Sequence, residues 1–315
     1  MSRPVKRGTA VGEQIALLRD RGMCVETDLA EQWLSHVSYY RLSAYWYPAR
    51  LLDGTGRRSD MFRPGTSFAD AAALYEADRK LRTLTHDGVE RIEVAMRTKL
   101  ISVLCDDDPL AYRDPACFRP SFDHRAWLQL ADKRIRRAGR RNRSIQHYRT
   151  NYGGEYPFWV LAEVLDFADV SRLFEGLPAK SQRPIAESLG ITIELDRLSP
   201  TQRRKATGHS PLARWLEQFT VIRNACAHHA RLWNSSFVPA PTAAMRQLPG
   251  CQLLPPGQSE RIFGALTVMA QLLRVISPGT TWPVKAADLV TSSFLPNPLV
   301  APAALGIPAD WNGAL

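Results

Sequence analysis

The five cysteines, Cys24, Cys105, Cys117, Cys226 and Cys251, are odd in number and never form a Cys-x-x-Cys pair. This excludes a disulfide framework or a zinc ribbon as the basis of the fold. No run of 18 apolar residues occurs, which argues against a membrane-spanning helix. Strand-like alternation is sparse and no repeat period is visible, so neither a β-sandwich nor a solenoid fits. Residues 1–10 are basic, but from Val11 apolar and charged residues alternate, unlike the apolar stretch of a signal peptide. A soluble protein of the reducing cytoplasm, with no membrane contact, is expected. Acidic residues are the scarcer charge, 31 against 41 Lys and Arg, for a net charge of +10. That balance suits a polyanionic partner, although the coding bias of a GC-rich genome also produces excess arginine.

With 45% hydrophobic residues in 315, the chain has ample core material. Apolar spacing predicts helices over 13–21, 28–37, 68–85, 88–104, 157–174 and 261–276, with a further helix starting at Ser210-Pro211. Residues 52–65 and 191–209 read as loops, 238–258 as a Pro-rich linker, and the segment after Pro278 as an irregular tail. The expected fold is all-α: an N-terminal helical region over 1–66, a helical core over 67–240, and a linker, helix and tail over 241–315.

Two clusters carry composition of interest. Lys133, Arg134, Arg136, Arg137, Arg140, Arg141 and Arg143 form the densest positive field and are candidate RNA-binding residues, in a segment interrupted by Gly139. Tyr39, Tyr40, Arg41, Tyr45, Trp46 and Tyr47 have the make-up of a base-stacking surface, yet such density favours a core or interface. Glu93 and Arg97, one helical turn apart, read as an ion pair. Asp106, Asp107 and Asp108 ahead of Pro109 read as a solvated helix end rather than a metal site.

The most informative stretch is 222–234, IRNACAHHARLWN. An imidazole carries protons near neutral pH and a guanidinium holds the extra charge of a pentacoordinate phosphate, the two groups that metal-free RNA cleavage needs. At about 100° per residue, Asn224 and His228 lie one above the other while Arg223 and His228 sit about 140° apart. One straight helix splays them; a loosened helix end or a two-fold dimer closes the gap. Cys226, His228 and His229 have metal-ligand chemistry, but no carboxylate or Cys pair accompanies them. Cys226 reads as a small packed residue rather than a nucleophile.

The stretch resembles the Arg, any four residues, His signature of HEPN-domain ribonucleases. In order before it stand residues 14–22 (QIALLRDRG), 37–48 (VSYYRLSAYWYP), 74–82 (LYEADRKLR), 88–98 (GVERIEVAMRT) and 157–167 (PFWVLAEVLDF). Together these blocks are similar to the Abi family of AbiD/AbiF-like abortive-infection proteins. The resemblance implies a HEPN-like helical bundle and a role in bacterial phage defence. It further implies a metal-independent, cofactor-free endoribonuclease in which Arg223, Asn224 and His228 are catalytic, with His229 and Arg231 as auxiliary groups. RNA as substrate, a homodimer, and a neutralising antitoxin or phage-derived trigger are the partners expected. The alternative is a catalytically silent defence protein that binds RNA or a partner.

Overall fold

A computed structural model describes residues 7–315, so the basic segment noted at 1–10 lies mostly outside the described residues. The described chain is almost entirely α-helical. It divides into two compact units, one comprising residues up to Leu81 together with Ala287–Pro302, the other Arg82–Ala286 together with Ala303–Leu315.

The first unit holds α1 (Val11–Asp20), α2 (Thr27–His36), α3 (Tyr39–Trp46), an antiparallel hairpin of β1 (Arg50–Leu52) and β2 (Arg58–Phe62), and the opening turns of α4 (Phe68–Leu104). Leu18, Leu42, Trp46, Phe68 and Leu74 are buried in its core, and Tyr45 donates from its hydroxyl to Asp78 Oδ2 at 2.7 Å. The hairpin corrects the loop expected over 52–65. Its turn is built by Asp53, whose Oδ1 accepts from the backbone N–H groups of Thr55 and Arg57, both at 2.9 Å, and by Gly56 at φ +77°.

Helix α4 runs unbroken for 37 residues, where the sequence pattern predicts an interruption before Gly88. Gly88 marks a close approach instead. A Cβ there would stand 2.6 Å from Met269 Cε and 2.9 Å from the Trp282 ring, and Trp282 Nε1 donates to the Leu84 carbonyl at 2.8 Å. That packing offsets the ~1 kcal/mol helix penalty of glycine.

The second unit continues with α5 (His124–Ala138), α6 (Arg143–Asn151), α7 (Phe158–Ala162), α8 (Phe167–Gly176), α9 (Ala179–Ser188), α10 (Pro200–Gly208) and α11 (Pro211–Ala227). A two-residue ladder pairs β3 (Ala240–Pro241) with β4 (Gln258–Ser259) before α12 (Ile262–Ile276). The chain closes with α13 (Trp282–Leu289) and α14 (Pro302–Leu305). Three expectations change here. The helix expected over 157–174 is two, because Asp166 turns extended (φ −80°, ψ 157°) and starts α8 as its N-cap. The loop expected over 191–209 contains α10, started by Ser199 with Pro200 in the first turn and Gln202 completing a capping box. The tail after Pro278 is helical in part and packed, with Trp282, Phe294, Leu299 and Leu305 buried.

Helix α11 is the axis of this unit. Leu212, Trp215, Leu216, Phe219 and Ile222 are fully buried along one side, against α8, α12 and β3; each such burial contributes about 1.5–3 kcal/mol. Buried Gln218 donates from Nε2 to the carbonyls of Val238 (2.7 Å) and Ser259 (2.9 Å), fixing the Pro-rich segment against the helix.

Candidate functional site

The start of α11 follows the sequence pattern, with Ser210 as N-cap accepting from the Leu212 N–H at 3.3 Å and Pro211 at the first position. Its end does not look like a standard one. The Ala230 N–H donates to the Ala225 carbonyl (2.8 Å) and the His229 N–H to the Cys226 carbonyl (3.0 Å), the double bond pattern that closes a helix with a left-handed residue. Glycine usually takes that place; here it is His229, at φ +57°. A non-glycine residue there costs about 1 kcal/mol or more, the kind of strain that collects at functional sites.

This termination places the motif side chains. Arg223 is half-buried in the last turns, Asn224 is exposed next to it, and the Arg223 Nη1 to Asn224 Oδ1 contact is long at 3.5 Å. His228, the cap residue, has left the helix proper (φ −92°, ψ 11°) and is exposed. Among the described residues its ring nitrogens have no hydrogen-bond partner, so both remain open to a ligand. His229 is exposed as well. Arg231 is half-buried; its guanidinium lies 5.4 Å from the Trp233 ring centroid and donates to the Asn234 carbonyl at 3.4 Å, holding the turn that follows. Cys226 is buried, in keeping with a packed residue.

Two carboxylates act on Arg223. Glu93 accepts from Arg97 Nη2 at 2.5 Å, the ion pair read from the sequence, and Arg97 also reaches the Leu165 carbonyl at 2.9 Å. Burial pushes the Glu93 carboxyl above its ordinary range, opposed by the charges of Arg97 and Arg223. Asp166 was not singled out by the sequence reading, though the Asp166-Phe-Ala-Asp169 spacing is a helix-start signal. Burial alone would raise its carboxyl; the hydrogen bond from Arg137 and the charges of Arg134, Arg137 and Arg223 outweigh that and hold it below the usual range.

Two members of the basic run reach the start of α8. Arg134 Nε donates to Asp169 Oδ2 at 2.7 Å and its Nη2 pairs with Asp166 at 2.9 Å, while Arg137 Nη2 meets Asp166 Oδ1 at 2.6 Å. Asp169 is 2% exposed and also accepts from the Asp166 N–H. These two arginines anchor the start of α8. Lys133, Arg136, Arg140, Arg141 and Arg143 are exposed, the first two on the outer face of α5 and the rest between α5 and the first turn of α6.

An open groove of about 600 Å³ is lined by residues including Arg91, Val94, Thr98, Leu189 and Val275, but by none of the motif residues. Among the described residues no three His, Cys, Asp or Glu side chains are grouped to hold a metal ion, and Asp106, Asp107 and Asp108 are exposed. No described helix is long and apolar enough to cross a membrane.

Neither curated proteins nor solved structures gave a match to the chain. A family model described as Abi-like protein matches residues 32–234, from the middle of α2 through the turn that Arg231 holds. That span is more than half of the chain and includes the whole of α11 with its open end, so the chain belongs to the Abi-like protein family.

Proposed function

We propose that this chain is a defence endoribonuclease of the HEPN type, acting as a homodimer without a metal ion. The observation that supports the reading is the end of α11, where half-buried Arg223 and exposed Asn224 lie in the last turns and exposed, unpartnered His228 caps the helix ahead of a strained His229. In this mechanism the ribose 2′-oxygen attacks the adjacent phosphorus and the P–O5′ bond breaks. His228 accepts the 2′-OH proton, and an imidazole returns one to the departing 5′-oxygen. Arg223 holds the charge that builds on the equatorial oxygens, and Asn224 orients the guanidinium or the phosphate. A second copy of the chain would supply the second His228 and Arg223, since a two-fold axis puts like residues opposite each other. His229 and Arg231 shape the turn that presents the site. The products are a 2′,3′-cyclic phosphate and a 5′-OH.

One observation weighs against catalysis by Arg223, its electrostatic interaction with Glu93 and Asp166, and the second reading is a catalytically silent protein that binds RNA or a partner. Purified protein incubated with RNA in EDTA separates the two. Cleavage with cyclic-phosphate ends, lost in Arg223→Ala and His228→Ala, supports the nuclease. Cleavage retained by both variants removes these residues from the site, and binding without cleavage by the parent favours the silent protein.

A further inference from the structure

The aromatic segment of the first unit is split by the fold. Tyr45 and Trp46 are buried, as a core reading of the cluster expects, but Tyr40 is 89% exposed and Tyr47 is 49% exposed. The two lie seven positions apart, and Tyr47 keeps helical backbone angles (φ −52°, ψ −40°) after α3 ends. They therefore share one stripe, separated by about 10 Å along the axis. Both rings present surface to solvent, Tyr40 almost all of it and Tyr47 about half.

The adjoining hairpin adds charge to this stripe. The Arg50 and Arg58 guanidinium carbons lie 5.4 Å and 5.7 Å from the centroid of the Tyr47 ring, within the range of a cation–π contact. Arg58 is held there by donating from Nη1 to the carbonyls of Pro48 (2.7 Å) and Arg50 (2.9 Å). Leu52, opposite Arg58 in the ladder, is 62% exposed. Arg50 is paired with Asp60 Oδ1 at 3.0 Å and its side chain is 15% exposed, so exposed Arg58 is the cation this strip offers to a ligand. An arginine without a carboxylate partner against an exposed ring matches a polyanion that carries flat bases: the guanidinium meets the phosphate while the ring meets the base face.

We infer that Tyr40, Tyr47 and Arg58 form a binding surface for unpaired RNA, distinct from the residues proposed for cleavage. Only a single strand presents base faces to side chains; in a duplex they are stacked inside. The inference deepens the ribonuclease reading by naming its substrate class, and rests on that reading for the identity of RNA as ligand. The surface itself is tested without any cleavage. The phenolic oxygens are not required, since stacking uses the ring, and sequence preference is weak because every base has a π face.

The test uses the full chain and fluorescence anisotropy with a short 2′-O-methyl oligouridine, alone and annealed to its complement. Such a strand has no 2′-OH to attack its phosphates, so the result does not depend on whether Arg223 and His228 cut RNA. Tyr40→Ala and Tyr47→Ala are each expected to weaken single-strand binding by about 5- to 150-fold while leaving duplex binding within about twofold. Tyr47→Phe is expected to bind like the parent. Tyr40, almost wholly in solvent, serves as the variant whose fold is least disturbed, checked by an unchanged thermal transition. Equal losses on single strand and duplex would overturn the stacking surface in favour of plain phosphate attraction. Unchanged single-strand affinity in the double variant would overturn it too and leave the strip to a protein partner.

Discussion

Arginine is used in opposite ways at the start of α8 and at the end of α11. Arg134 is tied to Asp169, which is 2% exposed, and to Asp166, so its charge is spent on fixing the entry of α8. Arg223 feels Asp166 as well, but forms no ion pair within 4 Å among the described residues and stands beside exposed Asn224. The difference teaches that a basic residue acts on a ligand only where its carboxylates stop short of satisfying it. Residue type and sequence density do not report that; the partner geometry does.

The comparison can be broken at either end. The largest expected effect is on chemistry: Arg223→Ala or His228→Ala should lower RNA cleavage by about 10²- to 10⁴-fold, with melting unchanged. Initial rates alongside a thermal melt check both halves, and a large fall in stability would move these residues into the structural class. Next, Arg134→Ala leaves buried Asp169 without its cation and should cost about 3 kcal/mol, seen as a fall of at least ~6 °C in Tm. A melt within error of the parent would show that the anchor is dispensable.

Asp166 supplies a pH test. Its folded carboxyl lies below the ordinary value of 3.8, so its stabilising contribution is present above that pH and lost as pH falls through the folded value. Because its side chain is 46% exposed, the gain of the parent over Asp166→Asn should be only about 1 kcal/mol. Urea midpoints should differ by a constant amount from about pH 5 to 8 and converge in strong acid; a gap that instead widened in acid would contradict the assignment. His229→Gly should raise stability by about 1 kcal/mol by relieving the left-handed backbone. An unchanged or lower urea midpoint would mean that the His229 side chain contributes more than its backbone costs. The smallest effects belong to the exposed arginines: Arg136→Ala and Arg140→Ala should leave stability within ~0.5 kcal/mol, while each lowers the salt slope of RNA binding by about 1. Slopes identical to the parent would remove them from the RNA path.

Much of the second unit was legible before any coordinates. Ser210-Pro211 marked the start of α11, the spacing of Leu212, Trp215, Leu216, Phe219 and Ile222 marked its buried side, and Glu93 and Arg97 marked an ion pair, because caps and helical periodicity act over a few residues. The hairpin after α3 was missed since β1 has three residues and no clean alternation. Helix α10 was missed although Ser199-Pro200 repeats the Ser-Pro start of α11. Asp166 was hidden inside an apolar run that reads as one helix.

The sequence by itself determined the helical class, the core side of α11 and the family signature, all of which depend on local spacing and residue chemistry. Only the tertiary structure decided that Gly88 is a packing site for Trp282 and Met269, that α11 ends on a strained His229, and that Arg134 is an anchor while Arg223 stands at an open helix end. The reason is physical: burial and ion pairing depend on which distant groups arrive at the same place, and residues such as Arg134 and Asp169 carry no local mark of the partner they will meet.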